Sequence, residues 1–451
     1  MEKTFDIAVI GGGVVGLAIL RRLAMAGLRC VLLERGADIL SGASKGNSAL
    51  LHTGFDAPQG SLELSCMQAG YAEYVGIRDR LNLPLLESSA LVVAWSDEER
   101  TKLPGIVAKA HANGVADVHE ISQGDLRRRE PYLSDAALGA VVVPGEHIID
   151  PWSAPLAYAH QAIAHSATIL RNAEVTGGSR IDGDWRLATL AGDIRARVVI
   201  NAAGNFGDIV EAIARPVPFS IKPRRGQFVV FDKPASKLAH AIILPVPTER
   251  TKGVVLFRTI FGNLAIGPTA EDVEEREVAA CDQPTLERLK ARAIEMAPGL
   301  AGIGINAIYA GLRPATEHKD YVIEALANLG WITVAGIRST GLTASLGIAQ
   351  HVSRLYAEHF GGLPEAPDPV WTPVPNLAEH VERPCMTGGD IVCHCELVTR
   401  GEIESALTGP LPAEDMGGLK RRTRATMGRC QGFYCSAHVA AIMREAANGT
   451  P

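Results

Sequence analysis

Four cysteines near the C-terminal end, Cys393, Cys395, Cys430 and Cys435, make one C-x-C pair and one C-x4-C pair. Four thiolates on loops suit zinc or a [2Fe–2S] cluster. Structural zinc pairs usually leave two to four residues between ligands, so the C-x-C spacing favours iron. The other cysteines, Cys30, Cys66, Cys281 and Cys385, stand singly and read as inert core or loop residues. Disulfides are not expected in a cytosolic chain. Between the two pairs lie Lys420, Arg421, Arg422, Arg424 and Arg429. They read either as cations that stabilise an anionic cluster or as a solvated helix face. His394, between two ligands, reads as a neighbour of the cluster.

The opposite end carries a second kind of chemistry. Phe5 to Ile10 is a short apolar run, as in a buried parallel strand. It leads into Gly11-Gly12-Gly13-Val14-Val15-Gly16. Gly11 suits a tight turn, Gly13 a close approach of backbone to a pyrophosphate, and Gly16 the packing of helix on strand. Leu17 to Gly27 reads as the helix whose N-terminal N–H groups face that pyrophosphate. Arg29 to Leu33 reads as the second strand, with Glu34 at its end to accept ribose hydroxyls. Strand, glycines, helix, strand and acid in this order predict a dinucleotide site. A chain holding both sites would move electrons from a two-electron cofactor to a one-electron relay.

Two further strands must frame the dinucleotide. Val198-Val199-Ile200-Asn201 ends in Ala202-Ala203-Gly204 and then Asp208. Trp331 to Gly336 runs through Ile337-Arg338-Ser339-Thr340 into Gly341-Leu342-Thr343, a strand, a glycine-flanked turn and a helix. With Gly42-Ala43-Ser44 through Leu51-His52-Thr53-Gly54, Asp150-Pro151 and Gly311-Leu312-Arg313-Pro314, these stretches resemble the FAD-dependent oxidoreductases of the D-amino-acid oxidase superfamily. Within it the chain is similar to the FAD-bearing component of anaerobic-type glycerol-3-phosphate dehydrogenases and to L-2-hydroxyglutarate oxidases. Arg421-Arg422-Thr423-Arg424 through Cys430-Gln431-Gly432 resembles the bacterioferritin-associated-ferredoxin-like [2Fe–2S] domain.

The resemblance implies FAD and a [2Fe–2S] cluster as cofactors. It places Gly11, Gly13, Gly16, Glu34, Ser44, Asn47, Ser48, Val175, Ala203, Gly204, Gly336, Thr340, Gly341, Leu342 and Thr343 at the flavin. The helix that begins near Gly341 would stabilise negative charge on the reduced flavin. His52 is the expected base for an alcohol proton, since imidazole titrates near neutral pH. The alternatives for it are a hydrogen bond to flavin or core, and covalent flavin attachment. Arg313 is expected to grip a substrate carboxylate or phosphate with its planar fork. His318, Lys319 and Arg258 are lesser candidates for the same pocket. The expected reaction is hydride transfer from a small anionic alcohol to FAD, with electrons leaving through the cluster to a partner protein or quinone. The alcohol would be a glycerol 3-phosphate-like polyol phosphate or a 2-hydroxy acid. The Gly336–Thr343 turn is closer to the hydroxyglutarate and amino-acid branch, which leaves the substrate open. An amino-acid or amine oxidase, and a non-catalytic electron-transfer protein, are the competing readings.

The expected class is α/β. A Rossmann-like FAD-binding domain (1–75, 145–215, 328–360) interleaves with an antiparallel-sheet substrate domain (76–144, 216–327). A proline-rich linker (361–387) leads to a small four-cysteine iron–sulfur module (388–451). A chain of 451 residues suits two or three domains. Its net charge of −6 argues against nucleic-acid binding. No stretch has the length of an integral membrane span. No targeting segment is evident, so the expected location is cytoplasmic, or peripheral on the inner face of a membrane.

Overall fold

A computed structural model describes residues 4–247, 253–379 and 389–449. Its first sheet has a parallel centre. Thr168–Leu170, Cys30–Leu33, Phe5–Ile10, Ile194–Asn201 and Trp331–Ala335 lie side by side in that order. The centre is buried on both faces, which is why these strands are nearly continuous apolar runs. The hairpin Val175–Ile181 and Asp184–Thr189 pairs antiparallel with the start of Ile194–Asn201, and Val322–Leu326 pairs antiparallel with Trp331–Ala335. Gly11 takes φ +110°, and a Cβ there would meet Ala202 O at 2.5 Å. A Cβ on Gly16 would meet Gly11 O at 2.0 Å. Only glycine lets the helix Val14–Met25 sit this close to the strand turn.

The second sheet has nine strands and is antiparallel except where Ile242–Pro245 runs parallel to Ala90–Ala94. Its longest ladder joins Lys222–Phe231 to Ile305–Ala315, setting Arg224 opposite Arg313 and Gly226 opposite Gly311. A three-stranded sheet of Leu50–Leu51, His147–Ile149 and Leu85–Glu87 lies between the two main cores. The helix Leu62–Leu81 packs on the helix Gly341–His359 and runs straight through the expected boundary at residue 75. Among the described residues no helix is long and apolar enough to cross a membrane.

Residues 361–379, expected as a linker, form an extended strap held to the body. Val374, Leu377 and Ala378 are buried. Val374 N–H donates to Leu81 O at 3.1 Å, and Glu379 N–H donates to Ile260 O at 3.0 Å. Residues 380–387 lie outside the described residues. The strap is ordered because its apolar side chains fill the two cores, which its proline content hides in the sequence.

The last 61 described residues, 389–449, form a small helical module with its own core around Val398, Ile403, Leu419 and Val439. The module is docked on the rest of the chain by its arginines. Arg422 makes a two-point bridge to Asp38 at 2.7 and 2.9 Å, with Asp38 fully buried. Arg421 donates to Ile39 O at 2.8 Å. Arg171 reaches Glu414 at 2.6 Å from the other side. Arg424 pairs with Glu396 at 2.8 Å and lies 3.6 Å over the ring of Phe261, while Arg429 pairs with Asp232 at 3.1 Å. Four members of the basic run are thus engaged with acids, carbonyls or an aromatic ring. This differs from both sequence readings of the run, because the body supplies Asp38, Asp232 and Phe261 from distant segments.

Candidate active site and cluster site

A cavity of about 400 Å³ opens at the carboxyl ends of the parallel strands. Of the expected flavin residues, Gly11, Gly13, Glu34, Ser44, Asn47, Ser48, Val175, Ala203, Gly204, Gly336, Gly341 and Leu342 line it, together with Arg313. Gly16, Thr340 and Thr343 do not line it. Gly16 serves helix packing. Thr340 hydrogen-bonds Glu63 at 2.8 Å and Tyr321 at 2.5 Å, and Thr343 accepts His52 N–H at 3.0 Å, so both brace the turn from behind. Glu34 Oε2 accepts Gly12 N–H and Oε1 accepts Gly36 N–H, both at 2.7 Å. Each oxygen keeps a lone pair for a ligand hydroxyl. Ser44 Oγ accepts Val14 N–H at 3.0 Å and fastens the 43–48 segment over the glycine turn. The same segment crosses the strand Ile305–Ala315 so tightly that a Cβ on Gly311 would meet Gly46 O at 2.1 Å. That crossing puts Asn47 and Arg313 on one cavity. Asp208, by contrast, pairs with Arg276 and accepts Ile221 N–H at 3.0 Å, a structural bracket.

Arg313 is mostly buried in the wall. Its Nε donates to Arg224 O at 3.2 Å, and Nη2 donates to Arg225 O at 3.3 Å and Thr269 O at 2.5 Å. Among the described residues none of its hydrogen-bond partners is a carboxylate, and none takes the N–H groups of Nη1. Burial, with Arg224 opposite on the ladder, pushes its pKa down to about 10. It is therefore a cation at neutral pH, offset in part by the nearby Asp272 carboxylate, which is not among its hydrogen-bond partners. Arg338 and Ser339 line the same cavity. Arg258 does not, and His318 faces Glu317 at 3.8 Å.

His52 is not part of the cavity wall. Its backbone is tied to Thr343, next to the wall residue Leu342. Its ring Nδ1 lies 2.7 Å from Glu146 Oε2, and Glu146 is fully buried. Glu146 Oε1 accepts both Thr53 N–H at 2.6 Å and Thr53 Oγ–H at 2.8 Å. A buried carboxylate at Nδ1 fixes the tautomer that carries its proton on Nδ1. Glu146 was not identified from the sequence. It follows a β-strand and belongs to no motif, and only the pairing of Leu51 with His147 brings it beside His52.

All four cysteines of the C-terminal module, with His394, Tyr434 and His438, line a second cavity of about 330 Å³. The thiols meet two by two, Cys395 with Cys430 and Cys393 with Cys435. Cys430 is held below the ordinary thiol range, first by Tyr434 N–H and further by the Cys395 thiol and the N–H groups of Gly432 and Phe433. Cys435 is pushed up to about 11 by burial. Among the described residues no three His, Cys, Asp or Glu side chains converge as one ion would require. Two pairs of sulfurs fit a two-iron cluster with two thiolates per iron, and not a single tetrahedral zinc.

Comparison with known proteins agrees with both cofactors. Residues 6–355 match the family model for FAD dependent oxidoreductases, and the chain belongs to that family. Residues 391–445 match the BFD-like [2Fe-2S] binding domain. The chain is 31% identical to a glycerol 3-phosphate dehydrogenase of Caloramator mitchellensis, over 97% of this chain and 94% of that one. It is 25% identical to one subunit of the anaerobic glycerol-3-phosphate dehydrogenase of Escherichia coli K12, over 98% and 88%. The dithionite-reduced, FAD-bound L-alpha-glycerophosphate oxidase of Mycoplasma pneumoniae is a structural neighbour. Its TM-score is 0.75 at 27% identity, covering 82% of this chain and 97% of that one. The protein is an FAD-dependent oxidoreductase, and it carries a [2Fe–2S] domain.

Proposed function

We propose that this chain oxidises a small anionic alcohol and sends the electrons out through its own cluster. A polyol phosphate such as sn-glycerol 3-phosphate is placed ahead of a 2-hydroxy acid. The observation that carries the reading is Arg313, a buried guanidinium on the cavity wall with no carboxylate among its hydrogen-bond partners in the described residues. Such a group is costly unless an anion meets it. The phosphate is suggested by the substrate of the related dehydrogenase and oxidase. Bound FAD supplies the two-electron acceptor, and the cluster a one-electron carrier.

The remaining work falls to side chains. Arg313 Nη1 holds the anion and so orients the carbinol carbon. His52 takes the hydroxyl proton at Nε2 while Nδ1–H donates to Glu146, which stabilises the imidazolium that forms. Thr53 holds Glu146, and Thr343 holds the His52 backbone, so the base is fixed from two elements. An amine substrate would need neither the base nor its buried acid. The exit of electrons to a partner protein is supported by the docked cluster module and by the likeness to one component of a multi-subunit dehydrogenase.

The test is anaerobic addition of polyol phosphates, 2-hydroxy acids and amino acids to the flavoprotein. Bleaching of the flavin by sn-glycerol 3-phosphate is expected. Bleaching by amino acids alone would overturn the alcohol reading, and no bleaching by any member would overturn catalysis.

A further inference from the structure

The loop that carries Cys430 and Cys435 also carries the two most exposed large apolar side chains of the described residues. Phe433 is 84% exposed and Tyr434 79%. Their rings meet edge to face at 5.2 Å. Leu397, two residues after Cys395, is 56% exposed, and Cys395 itself is exposed. Tyr434 lines the cluster cavity, and Phe433 and Leu397 adjoin its ligand cysteines in the chain, one on each ligand loop.

The loop geometry explains where these side chains point, but not what they are. The N–H groups of Gly432, Phe433 and Tyr434 all approach the Cys430 sulfur. With the amides turned in, the side chains must turn out. Serine or lysine would serve the amides equally well, so two bare aromatic rings in water need another reason. Charge narrows it. No Asp or Glu occurs between Met416 and Arg444, a stretch with Lys420, His438 and Arg444 among its bases, while Arg429 is paired with Asp232 of the body. Glu396, the acid beside Cys395, is nearly buried and paired with Arg424.

We infer that Phe433, Tyr434 and Leu397 are the docking face for an electron-accepting protein that presents an apolar pocket rimmed by carboxylates. This rests on the reading of the cluster as the electron exit. The patch is too small for a stable homodimer, which needs a far larger apolar area, but it suits a transient redox encounter. Exposed aromatics are also the side chains that dominate small interfaces.

The test uses the full holoprotein, intact and as the Leu397→Ser/Phe433→Ser variant, since neither side chain lines the cluster cavity. The probes are cytochrome c with succinylated lysines, an acidic one-electron protein, and native cytochrome c, a basic one. Dithionite in stoichiometric amount loads the protein, and excess is removed. One electron then passes from reduced cluster to ferric haem, leaving oxidised cluster and ferrous haem. Succinylated cytochrome should be reduced faster than native, by roughly tenfold at low salt. The double variant should slow that reduction by about tenfold or more. Sedimentation of the two oxidised proteins, which needs no turnover, should show weaker binding by a similar factor. Iron content, the reduced-cluster spectrum and ferricyanide reduction should not change.

Equal rates and binding for intact and variant protein would overturn the docking face while leaving the electron exit standing. Failure of the intact protein to reduce ferricyanide or either cytochrome would overturn both. Loss of binding to phosphatidylglycerol vesicles in the variant, with cytochrome reduction unchanged, would make the patch a membrane foot. A dimer converted to monomer would make it a self-interface. Either result overturns the proposal. Because dithionite supplies the electrons, failure of the substrate reading does not affect the outcome.

Discussion

Replacing Arg313 with Ala is the sharpest test of substrate charge. A free fork facing a phosphate would place the loss near the upper end of about 2–5 kcal/mol for a truncated buried pair. The fork is not free. Nε and Nη2 are spent on the carbonyls of Arg224, Arg225 and Thr269, which leaves Nη1 for substrate. A hydrogen bond to a charged group contributes about 1.5–3 kcal/mol. At about 1.36 kcal/mol per decade that is a loss in kcat/KM of roughly 10- to 150-fold. The loss should appear chiefly in KM, because the anion is held alike before and during reaction. The assay is flavin bleaching by sn-glycerol 3-phosphate, with glycerol as the neutral comparison. Arg313→Lys, which keeps charge but loses the three carbonyl contacts, should recover part of the affinity. If Ala weakens both substrates equally, Arg313 is only a brace for the strand ladder. If it weakens neither, the reasoning from the buried guanidinium fails.

Glu146→Gln should lower the rate of substrate-driven bleaching on the order of 10²-fold by removing the charge behind His52, with KM and FAD content unchanged in stopped-flow and absorbance measurements. Cys430→Ser should abolish or distort the paramagnetic signal of the reduced cluster and lower iron and sulfide together, while bleaching by substrate survives. Asp38→Ala leaves Arg422 buried without its partner and should loosen the cluster module by about 3–5 kcal/mol, read as an earlier melting step. Asp150 is fully buried, and burial raises its carboxyl to about 6. A raised carboxyl favours folding below the unfolded value near 4, and that advantage is lost as pH rises through about 6. Asp150→Asn should therefore leave stability at pH 4 nearly unchanged and raise it at pH 7 by up to about 3 kcal/mol, measured by denaturant titration.

The cofactor scaffold was legible because its demands are local. Gly11 to Glu34 must turn, approach and pack within one strand–helix–strand unit, and each demand selects a residue type at a fixed offset. The cysteine pairs are legible for the same reason. Thr340 and Thr343 brace the turn and do not line the cavity, since a turn's sequence does not say which side chains face out of it. Glu146 and the partial occupation of Arg313 depend on registers between strands far apart in the chain, Leu51 with His147 and Arg224 with Arg313. The strap and the arginine docking were hidden for a related reason. Proline content and clustered charge describe a segment alone in water, and both segments are defined by what they lie against.

The short loop from Glu34 to Leu40 belongs to two structures at once. Glu34 lines the flavin cavity and holds Gly12, and Leu40 N–H also returns to Gly12 O at 2.9 Å. Four residues beyond Glu34, Asp38 receives the cluster module. Whatever orders this loop for one ligand lowers the entropic cost of seating the other, and linkage makes the effect mutual. Flavin incorporation and closure of the C-terminal module should therefore be coupled, each favouring the other. A chain short of FAD should hold its cluster module loosely, and a chain with a badly seated module should release FAD more readily.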